Sequence, residues 1–302
     1  MNPALDITVR LDQLGTGKYI PARQVTTYPG GKGINAGKAL ASMGIHALCL
    51  GFIGTAHNPL WQTLRSPKLT LDLLAIDGTT RSNITLIEAG NIRHIVSPGF
   101  RISENDFQTL LTRLTEQSRP GDWWLLSGSL PPGAPEDAYA HLITLARQLG
   151  CHTALDSHGT ALAHGLNAAP DWLKINQQEF SALQEDSMDD QVTAARKQLK
   201  ANMQGMVITH GAHGATLISR DRVWRIGEIE PAPVVVNTMG AGDAFLAGFI
   251  SAIATQAAPQ QALKQGTACA LANLQSEEPG RFDAMAWQAA TQALMTVDVV
   301  LL

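Results

Sequence analysis

The strongest constraint on the fold is a rhythm. Short apolar runs recur at 47–53, 123–126, 153–155, 172–175, 206–209 and 234–236, each followed by a Gly- or Ser-rich turn. Helix-period segments at 104–116, 135–149 and 191–202 fall between them. Brief apolar runs of this kind are strands buried on both faces, and parallel strands joined by helices cover both faces of their sheet. The pattern predicts βαβ units and an α/β fold. Ser103 followed by Asp106 reads as the N-cap of one helix, and Gly150 stands where another should stop.

Two stretches break the rhythm. Residues 5–28 and 81–97 alternate apolar and polar side chains with no helical period, and Glu88-Ala-Gly-Asn91 reads as a hairpin turn. Strands with one polar face predict a small antiparallel sheet standing off the main core. A βα segment separates its two pieces, so this unit is discontinuous. The expected boundaries are 29–79 and 98–302 for the core, and 5–28 and 80–97 for a β lid.

Composition narrows the function classes. With 302 residues, 45% hydrophobic and only 16% charged, the chain can bury a sizeable core and is not a disordered segment. A net charge of −4 argues against a nucleic-acid partner. A small anionic ligand needs only a few local cations. Cys49, Cys151 and Cys269 are isolated, with no CxxC pair, and read as core residues in a reducing compartment. Asn2, Asp6 and Arg10 interrupt any signal-peptide pattern, and the apolar stretch 244–254 is too short to span a bilayer. The expectation is a soluble, cytoplasmic protein with no membrane partner.

Two glycine-rich segments carry the chemistry. The first is Tyr28-Pro-Gly-Gly-Lys-Gly-Ile-Asn35, leading into a helix with apolar Ala36, Ala39, Leu40 and Met43. Glycines at a helix entrance let backbone N–H groups approach an anionic or hydroxyl-rich ligand. Lys32 adds a cation, and Asn35 both donates and accepts. It is not a Walker A loop: no Gly stands five residues before Gly37-Lys38, and Ala39 replaces the magnesium-holding Ser/Thr. A plain turn into a helix has the same composition.

The second is Asn237-Thr-Met-Gly-Ala-Gly-Asp-Ala-Phe245, after the 234–236 run and at the start of an apolar helix. There the N–H groups of Ala241, Gly242 and Asp243 can converge on one point, and the helix dipole favours negative charge. An acidic group at that place suits removal of a proton from a hydroxyl that attacks phosphorus. Asp243 is the candidate base; an ordinary first-turn acid is the alternative. Phe245 stands where a dinucleotide fingerprint would need its third Gly.

Taken together, GGKGIN and NTMGAGD resemble the motifs of the ribokinase/PfkB family of carbohydrate kinases, phosphofructokinase-like branch. The resemblance runs through nearly the whole chain. Asn2-Pro-Ala-Leu-Asp6 is similar to the sugar-contacting strand end and Thr80-Arg81-Ser-Asn83 to the lid segment. Leu126-Ser-Gly-Ser-Leu-Pro131 is similar to a turn after a core strand, Lys174-Ile-Asn-Gln-Gln-Glu179 to the NxxE motif, and Thr209-His-Gly-Ala-His-Gly214 to the nucleotide-side turn. It implies a three-layer α/β/α core with a mostly parallel sheet and a small β-sheet lid.

The resemblance also implies roles. Asp243 is the general base, with Gly240, Ala241 and Gly242 as the anion hole. Asp6, Gly31, Lys32, Gly33, Asn35 and Ser129 hold the sugar, although Ser127 and Ser129 can equally just shape their turn. Lys32 and Arg81 contact a phosphate already on the sugar. Asn176, Thr209, Gly211, Gly214 and Asn273 line the nucleotide, ATP, and Glu179 organises Mg²⁺ through water. His210 and His213 read as exposed loop histidines. The implied reaction is ATP-dependent phosphorylation of a ketohexose monophosphate, fructose 1-phosphate first, with tagatose 6-phosphate and fructose 6-phosphate as alternatives. A kinase of an unphosphorylated sugar or nucleoside, and a non-catalytic sugar-phosphate sensor, are the remaining alternatives. An exposed sheet lid predicts a homodimer.

Departures from the pattern are Ile175 in place of Pro, His158 in place of a small hydroxyl residue, and a short 54–77 stretch without an acidic Gly-rich turn. In related kinases a short apolar strand precedes the Asn-Pro-Ala-Leu-Asp segment. The resemblance therefore implies a core strand ahead of Met1.

Overall fold

Four of the six apolar runs become neighbouring strands of one sheet. This is seen in a computed structural model of the chain, which describes residues 1–13, 19–64, 66–88, 91–183, 190–229 and 234–301. The first half runs β1 (Ala4–Leu11), β2 (Ala22–Gly30), α1 (Lys32–Ser42), β3 (Ala47–Gly54), α2 (Asn58–Trp61), β4 (Leu69–Ile76), β5 (Arg81–Glu88), β6 (Asn91–Val96), α3 (Glu104–Gln117), β7 (Trp123–Ser127) and α4 (Ala138–Gln148). There follow β8 (His152–Asp156), α5 (Gly159–Asn167), β9 (Trp172–Asn176), α6 (Gln177–Ala182), α7 (Gln191–Gln198), β10 (Gly205–Thr209), β11 (Ala215–Ile218) and β12 (Val223–Ile226). The chain closes with α8 (Ala241–Ala254), α9 (Pro259–Leu274), α10 (Ala284–Met295) and β13 (Val300–Leu301).

Strands β7, β8, β9 and β10 are parallel, and β11, β12 and β13 extend that sheet antiparallel. Helices pack against it, burying Leu155, Leu173, Ile175 and Ile208 completely. The run at 47–53 forms β3, which pairs with β4 in a separate two-stranded sheet. Between β3 and β7 lies a cavity of about 950 Å³, walled by residues of α1, α3, α4 and α8 and bordered by Met1.

A third sheet has the order β2-β1-β5-β6 and draws its strands from residues 4–30 and 81–96. Its central pair, β1 and β5, is parallel, and both outer pairs are antiparallel. Ala89 and Gly90 of the expected hairpin turn lie outside the described residues, where Glu88 pairs with Asn91. The sheet touches the loop ahead of α8: Arg10 donates to the Val236 carbonyl at 2.8 Å, and the Thr85 hydroxyl meets the Met239 sulfur at 2.9 Å.

The run at 234–236 is not a strand. Val234 and Val235 are exposed, and the amides of Val236 and Asn237 donate to the Leu274 carbonyl at the end of α9. Three consecutive valines satisfy strand propensity, but no strand among the described residues pairs with them, and tertiary context overrides the preference. The helix that follows does form. α8 is apolar on all sides because it is packed on all sides, against the sheet through Phe249 and Trp172 and against α9. Small residues at its contact with α1 (Ala36, Ala39, Ala244, Ala247) bring the two helices together, so their glycine-rich entrances face one cavity. The Ser103–Asp106 capping box is present at α3, and Gly150 takes a positive φ after α4. No helix among the described residues is long and apolar enough to cross a membrane.

Candidate active site

The carboxyl ends of β8, β9 and β10 deliver Asp156, Asn176 and Thr209 to one rim, where an open parallel sheet presents its ligands. The entrances of α1 and α8 complete it. The resulting cavity is about 1610 Å³ and is roofed by β5 and β6 residues Arg81, Asn83, His94 and Val96.

At its centre, Asn35 donates to an Asp243 carboxylate oxygen at 3.0 Å. Burial pushes the Asp243 carboxyl up to about 7, against the pull of Lys32 and Lys174. A carboxylate tuned near neutral is suited to accept a proton. α8 begins on Gly240, whose φ of 78° is open to glycine, and a Cβ there would meet the Gly280 amide nitrogen at 2.6 Å. In the first turn of α8 the amides of Gly242 and Asp243 have no acceptor within the helix, and both residues line the cavity. Amides so placed can seat an anion.

Two lysines flank this seat. Asp156, fully buried, accepts from Lys32 Nζ at 2.6 Å and from Lys174 Nζ at 2.9 Å. Burial would raise its pKa, but Lys174 and Lys32 outweigh that and hold the carboxyl below its usual range. Burial works against the Lys32 charge too, yet Asp156, Asp243 and Glu179 hold the ammonium well above the usual lysine range. Lys174 Nζ lies 2.9 Å from where a Cβ on Gly242 would stand. Two ammonium groups, Lys32 and Lys174, and the carboxylates of Asp156, Glu179 and Asp243 therefore surround the α8 entrance.

On the opposite side, Asp6 accepts from Asn83 Nδ2 at 2.9 Å and from the Gly31 amide at 3.3 Å. Burial raises its pKa. A side chain at Gly30 would collide with this carboxylate. The amide oxygens of Asn2, Asn35 and Asn83 are buried without a protein partner, leaving acceptors for hydroxyl donors. Arg81 donates from Nε to the Asn2 carbonyl at 3.2 Å, and burial lowers its pKa.

The cavity brings together Asp6, Gly31, Lys32, Asn35, Arg81, Ser129, Asn176, Thr209, Gly211, Gly214, Gly240, Ala241, Gly242 and Asp243. Three expected residues stand elsewhere. Gly33 borders the second cavity. Asn273 is buried behind the α8 entrance, donating to the Met239 carbonyl at 2.8 Å and accepting from the Gly280 amide at 2.6 Å. Glu179 lies behind Asn176 in a capping box, each side chain accepting from the other's amide at 2.8 Å. Its second oxygen is 3.6 Å from Lys32 Nζ. His210 bonds to Gln177 and Thr216, and His213 pairs with Glu228. No group of three or more metal-ligating side chains occurs among the described residues. Lys174 and Asp156 carry the electrostatics of the site yet received no role from the sequence. The available signal was a lysine inside an apolar run, since a charge in a buried strand demands a buried partner.

The pfkB family of carbohydrate kinases matches residues 1–284. The chain belongs to that family. Among relatives of this pfkB kinase, the 1-phosphofructokinase of Xanthomonas campestris is 33% identical over 292 residues, covering 93% of this chain and 91% of that protein. The tagatose-6-phosphate kinase of Staphylococcus epidermidis is 28% identical, covering 94% and 93%. The crystal structure of Escherichia coli phosphofructokinase-2 in complex with potassium superimposes with a TM-score of 0.87 at 25% identity, over 98% of this chain and 97% of that one. The pfkB kinase described here is thus an enzyme, a phosphotransferase with the ribokinase-like α/β fold.

Proposed function

We propose that this enzyme transfers the γ-phosphoryl group of ATP to a hydroxyl of a ketohexose monophosphate, with fructose 1-phosphate the preferred acceptor. The observation that carries the reading is the pairing of Asp243, tuned near neutral, with the open α8 entrance between Lys32 and Lys174. Phosphoryl transfer needs positioning, charge neutralisation and a proton acceptor, and this site supplies all three. The sugar hydroxyl loses its proton to Asp243 as its oxygen bonds to phosphorus. The bond from phosphorus to the bridging oxygen breaks, and ADP leaves. The Gly242 and Asp243 amides hold the phosphoryl oxygens, and Lys32 and Lys174 offset their charge.

The sugar is held by Asp6, Asn35 and the unpaired amide oxygens of Asn2 and Asn83. Because Lys32 is engaged with Asp156 and Glu179 at the transfer point, Arg81 takes the phosphate already on the sugar. The nucleotide lies along Asn176, Thr209, Gly211 and Gly214. Glu179, set back behind Asn176 at the edge of the lysine pair, suits Mg²⁺ that arrives with the nucleotide and stays bound mainly to phosphate and water. That ion would supply further neutralisation of the phosphate charge.

Support for a ketohexose phosphate comes from relatives named 1-phosphofructokinase and tagatose-6-phosphate kinase; the latter keeps tagatose 6-phosphate as the second reading. Exposed Val25 and Ile95 lie on the same face of the four-stranded sheet as half-buried Val9 and Leu86, away from the cavity, and give it an apolar surface suited to a second copy, supporting a homodimer with this sheet as its lid. A panel of fructose 1-phosphate, tagatose 6-phosphate, fructose 6-phosphate and free fructose with ATP–Mg²⁺, scored by kcat/KM, tests the reading. Fructose 1-phosphate is expected to lead, and activity confined to the free sugar would overturn it.

A further inference from the structure

Lys38 takes no part in the chemistry above, yet it is one of the most enclosed side chains in the molecule. It sits one turn beyond Asn35 on α1, with its side chain fully buried. Its ammonium donates to the Pro29 carbonyl at 2.5 Å and to the Pro279 carbonyl at 3.1 Å, and pairs with Glu278 at 3.1 Å. Asp6 and Arg281 are the other charged groups that act on it. A buried ammonium is costly unless its hydrogen bonds are met, and these three partners meet them.

The partners belong to two segments that matter. Pro29 leads directly into Gly30 and Gly31, where the Gly31 amide meets Asp6. Pro279 leads into Gly280, which is wedged between the two helix entrances. A Cβ on Gly280 would strike the Asn35 backbone, and a Cβ on Gly240 would strike the Gly280 amide nitrogen. Gly280 also donates to Asn273, which in turn holds the Met239 carbonyl just before Gly240. The 278–280 segment therefore spaces the α1 entrance from the α8 entrance.

We infer that Lys38 is a positioning residue: by tying Pro29 to the 278–280 segment it sets the register between the sugar-holding loop and the Asp243 helix. The Asn35–Asp243 contact across that spacer is what such a register controls. Lys38 touches no substrate, so its loss leaves each half able to bind and misaligns the two. A displacement of about 1 Å at a reacting centre costs on the order of a hundredfold in rate.

This inference rests on the kinase reading, and the experiment separates them. The unaltered enzyme is first shown to turn over; if it transfers no phosphoryl group, the kinase reading fails on its own. Lys38→Met keeps the volume and removes the charge. The expected result is a kcat lower by about a hundredfold, with KM for the sugar phosphate and for ATP changed less than about threefold. In Lys38→Ala, n-propylammonium should restore part of kcat and neutral n-propanol should not. If either variant fails to fold, Glu278→Gln leaves the lysine and both carbonyl contacts in place, and kcat should fall by roughly three- to tenfold at unchanged KM. A Lys38→Met enzyme within about twofold of the original kcat, equal rescue by propanol, or an unaltered kcat in Glu278→Gln would each overturn the assignment.

Discussion

Two helices enter the same cavity on glycines, and their surroundings differ in charge. Gly31 caps α1 with a φ of 96°, and its amide already donates to the Asp6 carboxylate. Gly240 caps α8 with a φ of 78°, and the amides that follow line the cavity beside two lysines. Both termini carry the positive end of a helix dipole. At α1 a fixed protein carboxylate answers it, so what remains is a neutral, hydroxyl-accepting surface. At α8 the Gly242 and Asp243 amides have no acceptor within the helix and two lysines stand beside them, so what remains can seat an anion. The similar glycine composition of the two loops conceals this difference, which lies in Asp6 and in Lys174, residues far away in sequence.

The largest expected break in this comparison is at α8. Asp243→Asn keeps the shape and the Asn35 neighbour but removes the proton acceptor. It should lower kcat by roughly 10²–10⁴-fold with little change in either KM, measured in a coupled ADP-release assay. Turnover within a few-fold of the original enzyme would show that Asp243 is not the base.

A smaller and different effect is expected at α1. Asp6→Asn replaces one of two acceptor oxygens by an amide nitrogen, so either Asn83 or the Gly31 amide loses its partner. An unpaired buried donor costs about 1–3 kcal/mol. Urea unfolding should show a loss of that size, and KM for the sugar should rise roughly tenfold or more while KM for ATP holds. An equal rise in both KM values would contradict the division of the cavity into a sugar half and a nucleotide half.

Much of the fold is legible in the sequence because it is encoded locally. The runs that became β7 to β10, the Ser103–Asp106 box and the Asn176–Glu179 box depend on residues a few positions apart. What is not legible depends on distant partners. Val234 and Val235 have strand propensity but pair with no strand among the described residues. Asn273 looks free to meet a nucleotide until Met239 and Gly280 are folded onto it. Lys174 reads as an interruption of an apolar strand until Asp156, from the neighbouring β8, is placed at 2.9 Å. The proposed base, Asp243, is visible in the sequence as an acid in the first turn of an apolar helix. Its tuning is not, because the shift comes from burial among elements that converge only in the fold.

That tuning is the most direct test of the contrast between the two entrances. A base must be ionised to accept a proton, and burial pushes Asp243 up to about 7. The measurement is kcat/KM for fructose 1-phosphate from about pH 5.5 to about pH 8.5, in the original enzyme and in Asp243→Asn. The account predicts that kcat/KM rises with pH to a limb centred near 7 and then levels, and that this limb is missing from the residual activity of the variant. A profile flat across that range, or a limb that survives in Asp243→Asn, would contradict it.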